Sequence, residues 1–298
     1  MRLDAFLAAH VESWSRSRLH RLIEDGDVLV NGRESKPSYK VRENDDIEIE
    51  LAELPTAAFE PEDIPLDVIY EDEYLAVINK PAGMVVHPGA GITGGTLANA
   101  IAYHFSLSTL HSPLSTRLGI VHRLDKDTSG LIVVAKDEQT AEELSRQFHD
   151  REIEKSYIAL VHGFIDEDSG TIDRPIDRHK HHRTMMTVAA HGRSALTLWR
   201  VKERFDKFTL LNVDIKTGRT HQIRVHLASI NHPVVGDETY NSGRDKTVAD
   251  LTIRKAIADL DRFFLHAEKL AFTHPKTGER MRFKQELPTE LDEFLQLL

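Results

Sequence analysis

The sequence predicts an α+β protein in which a small module of helices and a hairpin precedes a larger domain built on a mixed, largely antiparallel sheet. Three observations predict it. Apolar residues recur at three- and four-residue spacing near the start of the chain, as on one face of a helix. A proline-containing acidic stretch separates two unlike parts. Beyond it, strand-like runs follow one another without the regular alternation with helices that a doubly wound parallel sheet would show.

Taken in order, Leu3, Phe6 and Leu7 predict an opening helix, and Leu19, Leu22 and Ile23 a second, with Ser15 or Ser17 as its cap. Asp25, Gly26 and Asp27 stop that helix, Gly26 tolerating the left-handed backbone of a helix end. Val28 to Val30 then turn through Asn31 and Gly32, a strong hairpin signal, into a second short strand. Val41, Ile47 and Ile49 supply a further strand by alternation, so residues 1–52 read as one module. Pro55, Pro61 and Pro65 lack the donor that a helix or central strand needs, and 53–65 reads as a linker. Residues 66–298 read as the second domain. Its expected elements are a strand at Leu75–Asn79, a helix after Thr96, a strand at Leu131–Ala135 and a helix at Glu138–His149. Strands at 156–162, 194–201 and 208–216, a helix opening at Thr220 and a late strand at 263–273 complete them.

At 298 residues, 40% hydrophobic and 29% charged, the chain is a globular one and not a disordered one. Its net charge of −10 excludes a uniformly basic nucleic-acid binder, yet the excess is local. Residues 53–73 hold eight acids and no Lys or Arg, which leaves −2 for the rest. The absence of cysteine excludes disulfides, thiolate zinc sites and cysteine nucleophiles. Arg2 and Asp4 interrupt any signal-peptide core, and no apolar run approaches the ~20 residues of a membrane span. A monomer in the cytoplasm, without a membrane partner, is the expectation.

Three apparent motifs fail their context. Gly89, Gly91 and Gly94 fit a dinucleotide fingerprint, but no acid follows between Glu73 and Asp125, and the segment reads as a flexible loop. Asp125, Asp127, Ser129 and Gly130 resemble the start of a calcium loop whose twelfth position is Lys136 where a carboxylate is required. His179, His181 and His182 cluster inside 174–193, a segment with five Lys or Arg against one acid. That charge repels a metal and suits either phosphate contact or simple solvation. No metal is expected.

Two polar runs are harder to read as structure alone. One extends from Gly119 through His122, Arg123 and Asp125 to Leu131; the other runs from Lys216 through Gly218, Arg219, Thr220, His221 and Gln222 to Arg224 and His226. In the second, Thr220 is expected to cap a helix and place Gln222 to Arg224 in its first turn, where free amides gather. Taken singly, Asp125 fits an Asx-turn and Arg224 a surface arginine.

Together, His122-Arg123-Leu124-Asp125 and Thr128-Ser129-Gly130-Leu131 resemble the signature of the RluA-type pseudouridine synthases. Asn79 to Gly83, His87-Pro88, Lys155-Ser156-Tyr157 and Gly218 to Arg224 match in the same order, so the resemblance spans about 65–298. Residues 1–50 resemble an S4-type RNA-binding module, through Ser15 to Leu19 and Leu22 to Gly32. In such a module Arg16, Arg18 and Arg21 would face RNA phosphates, by local charge, since the module counts eight Lys or Arg against eleven acids.

The resemblance implies a reaction that needs no cofactor: the C1′–N1 bond of a uridine is cut and the base rejoined through C5. It assigns Asp125 as the catalytic carboxylate, Arg224 as the guanidinium that holds it charged with a two-pronged grip, and Tyr157 as the ring against the base. Arg123, beside His122, would enter the space left by a flipped base, because a stacked uridine cannot present C1′ and C5 to a pocket. The implied substrate is large-subunit ribosomal RNA, in the pre-ribosomal particle, with transfer RNA as the alternative.

Overall fold

The structure, a computed structural model, describes residues 1–11, 16–49, 60–88, 92–105, 119–182 and 185–298. The first module contains α1 (Leu3–His10), α2 (Arg16–Asp25), β1 (Val28–Val30), β2 (Arg33–Glu34) and β3 (Ile47–Ile49), in sheet order β2-β1-β3. Leu3, Leu7, Leu19, Leu22, Ile23, Val28 and Val30 form its own core, the residues whose spacing predicts the two helices among them. The two-residue turn is as expected: Asn31 and Gly32 both have positive φ, 54° and 70°, the backbone a right-twisted hairpin needs. Asp27 N–H closes α2 on the Leu22 carbonyl at 2.9 Å, past Gly26 at φ 89°.

The second module holds β4 (Asp67–Glu71), β5 (Leu75–Lys80), α3 (Leu97–His104), β6 (Ser129–Ala135), α4 (Glu138–His149), β7 (Glu154–His162) and β8 (Ser169–Asp173). It continues with β9 (Ile176–Arg178), β10 (Met186–Val188), β11 (Leu196–Arg204), β12 (Phe208–Ile215) and α5 (Gln222–Ser229). The chain ends with α6 (Leu251–Asp259), β13 (Leu265–Thr273), β14 (Arg280–Lys284) and α7 (Thr289–Leu295). Among the described residues, nine strands form one sheet in the order β4-β5-β6-β13-β7-β12-β11-β8, with β14 beside β13. Among the described strands, only β6 with β13 is a parallel pairing. Alternate residues of β5 and β6 divide between two cores: Ala76, Ile78, Ile132 and Val134 on one face, Leu75, Val77, Leu131 and Val133 on the other. Such two-sided burial is why β6 reads as a continuous apolar run.

Several expectations need correction. Residues 60–65, read as linker, lie along α3: Asn99 Nδ2 donates to the Glu60 carbonyl, Glu62 N–H to the Asn99 carbonyl, and the Glu62 carboxylate accepts the Gly95 N–H. Residues 53–59, the rest of that stretch, lie outside the described residues together with 50–52, as do Gly89 and Gly91 of the glycine-rich segment and Ser15, the first suggested cap of α2. The cationic loop at 174–193 contains a hairpin, β9 with β10, docked on α5. β4, β8, β14, α6 and α7 have no counterpart in the sequence reading. β4 is an edge strand with mostly exposed residues, and β14 carries Arg280, Arg282 and Lys284, so neither has the apolar run that marks a strand. Among the described residues, no helix is long and apolar enough to cross a membrane.

Candidate active site

One row of paired residues crosses the sheet: Lys80 on β5, Gly130 on β6, Ala267 on β13, Tyr157 on β7 and Val213 on β12. The parallel contact in that row requires glycine. Gly130 has φ 110°, and a Cβ there would lie 2.3 Å from the Ala267 carbonyl oxygen, closer than any side chain tolerates. β6 can therefore start directly after the 123–128 loop, which carries Asp125 over the middle of the sheet. Ser129, its first residue, is tied to β13 by a 2.9 Å hydrogen bond with His266 Nδ1, and Arg262 donates to the same hydroxyl.

Opposite that loop, Arg224 stands in the first turn of α5. The helix begins one residue later than expected: its N-cap is His221, not Thr220, held in left-handed backbone at φ 54°. Arg224 Nη1 donates to Asp125 Oδ2 at 3.2 Å. Its two-pronged grip is directed elsewhere, with Nε and Nη2 donating to Asp237 Oδ2 and Oδ1, each at 2.7 Å. Asp237, 1% exposed, was not singled out in the sequence. The guanidinium also lies 4.2 Å from the Phe263 ring centroid and 5.1 Å from that of Tyr240. Burial opposes its charge, but the hydrogen bonds and charge of Asp237, with those of Asp125, raise its pKa above the ordinary guanidinium value. Two carboxylates around one guanidinium leave the group of three with one net negative charge, and Asp125 is the more exposed of the two.

Tyr157 lines the same pocket and is buried. Burial, then the nearby charge of Asp125, pushes its phenol up, so the oxygen is protonated at neutral pH. Its hydroxyl has no hydrogen-bond partner among the described residues. The pocket, about 60 Å³, shares Arg123, Tyr157, Ile215, Gly218 and Arg219 with a cleft of about 670 Å³. A carboxylate held by one Arg nitrogen, beside an aromatic ring at the bottom of an open cleft, can receive a flat base and act on the atoms next to it.

Lys80 supports this loop from below. Fully buried, its ammonium donates to the carbonyls of Pro81, Met84 and Lys126 at 2.8, 2.9 and 2.9 Å, the last within the Asp125 loop. Burial, with the charge of Arg262, lowers its pKa to about 7, while Asp127 and Asp125 act in the other direction. Three carbonyls require three N–H donors, which only the charged form has.

The remaining residues singled out in the sequence divide. Arg123 is exposed and borders both the pocket and the cleft. His122 faces the cleft but its ring is occupied: Nε2 accepts the Val133 N–H at 3.0 Å and the ring stacks on Phe148 at 4.6 Å. Burial, then the charge of Lys155, lowers its pKa to about 3, which makes it a neutral acceptor. Arg16, Arg18 and Arg21 belong to α2, but their side chains lie outside the described residues. Tyr240, not singled out in the sequence, joins the site to the hairpin: its hydroxyl oxygen accepts the Met186 N–H and lies 2.8 Å from His221 Nδ1. Burial lowers the His221 pKa, which favours the neutral ring beside Tyr240.

This fold is that of a class of RNA-modifying enzymes. Residues 74–229 match the family described as RNA pseudouridylate synthase, and residues 1–47 match the S4 domain. The chain is 42% identical over 298 residues to a protein of Bacillus subtilis named uncharacterized RNA pseudouridine synthase YlyB, covering 100% of this chain and 94% of that one. It is 42% identical over 301 residues to the ribosomal large subunit pseudouridine synthase D of Escherichia coli, covering 100% and 90%. Among solved structures, human RNA Pseudouridylate Synthase Domain Containing 1 aligns with a TM-score of 0.56 and 27% identity, over 81% of this chain and 90% of that one. The chain belongs to the RNA pseudouridylate synthase family, as an RNA pseudouridine synthase that begins with an S4 domain.

Proposed function

We propose that this enzyme isomerises uridine in large-subunit ribosomal RNA, with Asp125 as the reacting carboxylate. The observation that carries the reading is the Asp125 carboxylate set beside Tyr157 and under Arg224 at the end of an open cleft. The substrate is supported by the S4 domain and by the name of the Escherichia coli relative. The reaction balances without a co-reactant: C1′–N1 breaks, C1′–C5 forms, and the proton lost at C5 is matched by one gained at N1.

In this reading Arg224 orients Asp125 through one nitrogen while Asp237 fixes the guanidinium. Tyr157 stacks on the uracil. Because its phenol is protonated, it can take the C5 proton only by passing its own to a neighbouring acceptor. Arg123 fills the space left by the flipped base, at a cost of a few kcal/mol that is smallest for loop and bulge uridines. Arg16, Arg18 and Arg21 of the S4 domain contact phosphates. The domains divide as 1–52 and 66–298, the second taking in the 60–65 segment bonded along α3, and the protein acts as a cytoplasmic monomer.

Mapping pseudouridine in total RNA from cells with and without the gene, and with the gene carrying Asp125→Asn, tests the reading. Loss of one or more large-subunit sites in the deletion and the variant alike supports it. Loss confined to transfer RNA makes transfer RNA the substrate, and no loss in either overturns the proposal.

A further inference from the structure

The cleft that leads to the pocket carries charge that the pocket chemistry does not use. In a chain of net charge −10, five of its lining residues, Arg123, Arg151, Lys155, Lys216 and Arg219, are Lys or Arg, and among the described lining residues none is Asp or Glu. Lys155 is the most telling. Its side chain is half-buried, with Nζ 5.2 Å from the Phe148 ring centroid, and burial lowers its pKa to about 8 with no opposing charge among the causes. Arg219 is likewise partly buried and meets like charges: after burial, Arg193 and Arg151 push its pKa down. Among the described residues its one side-chain hydrogen bond, Nε to the Ser194 carbonyl at 3.1 Å, leaves both terminal nitrogens available.

A solvated basic surface would keep such groups hydrated and apart. Here Lys155 and Arg219 are partly dehydrated, Arg219 is repelled by Arg151, and no carboxylate lines the described part of the cleft, an arrangement that costs free energy until an anion enters. The cleft meets the pocket at Arg123 and Arg219, so the anion lies next to whatever occupies the space beside Asp125. Single-stranded RNA supplies such anions at regular intervals along its backbone.

We propose that Arg151, Lys155 and Arg219 form a phosphate-binding site that holds the RNA backbone beside the extruded uridine, a proposal that rests on RNA being the substrate. Lys155 is the inner anchor and Arg151 the outer one. The contact is to phosphate and not to a base, so it positions the strand without reading its sequence.

The test measures binding of a single-stranded oligouridylate by protein carrying Asp125→Asn, so that turnover does not intervene, across a range of salt. In that background Lys155→Met keeps the contact with Phe148, and Arg151→Asn suits the left-handed backbone of that position, at φ 63°. Each change should flatten the slope of log affinity against log salt by about 0.7, and both together by about 1.4. Lys255→Met, on the exposed side of α6, should leave it unchanged. An oligouridylate with a neutral methylphosphonate backbone should bind the Asp125→Asn parent and its Lys155→Met derivative equally. The site does not exist if the slopes of the two variants match that of the parent, if the parent fails to bind the oligouridylate at low salt, or if the neutral backbone is discriminated as strongly as the charged one. Flattened slopes in a protein that forms no pseudouridine in ribosomal RNA would retain this site and overturn the proposed function alone.

Discussion

Arg224 gives its two-pronged grip to the buried Asp237, at 2.7 Å on each prong, and only Nη1 to Asp125, at 3.2 Å. Asp237 therefore fixes where the guanidinium lies, and Asp125 keeps an oxygen that Arg224 does not engage. The expected consequence is a split in kinetics. Asp237→Asn, nearly the same shape, removes the charge that balances Arg224 and lets the guanidinium turn toward Asp125. It should lower kcat about 10–100-fold with KM little changed, the scale expected of a small misplacement near reacting atoms. Asp237→Ala should in addition cost about 3–5 kcal/mol in stability, because the buried fork loses its partner. Steady-state kinetics and urea unfolding check both; an Asp237→Asn enzyme with unchanged kcat would remove Asp237 from any positioning role.

The neighbouring acids separate cleanly. Asp125→Asn should abolish pseudouridine formation while the fold and RNA affinity persist, since amide and carboxylate are close in shape. Asp127→Asn is the control and should retain most activity. Tyr157→Phe should keep part of the turnover by stacking, and Tyr157→Ala almost none. Equal losses in the two Tyr157 variants would make the ring irrelevant, and an active Asp125→Asn would move the chemistry to another residue.

Lys80 links stability to the reacting loop. Lys80→Met keeps an unbranched side chain but leaves the carbonyls of Pro81, Met84 and Lys126 without a donor, at about 1–3 kcal/mol for each that stays buried. Part of that cost is offset by no longer burying a charge. A net loss of about 2–4 kcal/mol is expected, with a lower kcat because the Lys126 carbonyl is where the loop is held. Urea unfolding and single-turnover rates measure the two effects, and a variant of wild-type stability and rate would show that the three bonds contribute nothing.

What was legible in the sequence is what is carried by local pattern. The Asn31-Gly32 turn, the α4 boundaries at Glu138–His149 and the start of α3 after Thr96, whose side chain proves to accept the Asn99 N–H, all depend on residues within a few positions of one another. Thr220 misled because His221 adopts a left-handed conformation, uncommon for a non-glycine residue, and takes the cap position. Asp237 and Tyr240 were not legible. Each acts on a residue more than ten positions away, and a single Asp after Gly236 carries no periodic or motif signal of its own. Edge strands such as β4 also escaped, since a strand exposed along most of its length lacks the alternation that a half-buried one shows.

Acid should act on the fold through His122. In the folded protein its pKa is lowered to about 3 by burial and by the charge of Lys155, whereas an unfolded histidine titrates near ~6.5. Above that value both states are neutral at this residue and pH has no effect through it. As pH falls below it, the unfolded chain takes up a proton that the folded one refuses, so stability is lost progressively down to the folded value. The slope contributed approaches about 1.4 kcal/mol per pH unit. Other buried histidines add to the wild-type curve, so the informative quantity is the difference from His122→Gln, which can still accept the Val133 N–H through its side-chain oxygen. At about pH 7 the variant should be the less stable of the two, having lost the stack on Phe148. By about pH 5 the gap should have narrowed or reversed, because only the wild type carries this proton-linked loss. Urea unfolding at the two pH values measures the gap, and parallel curves would mean that His122 is charged, or equally protonated, in both states.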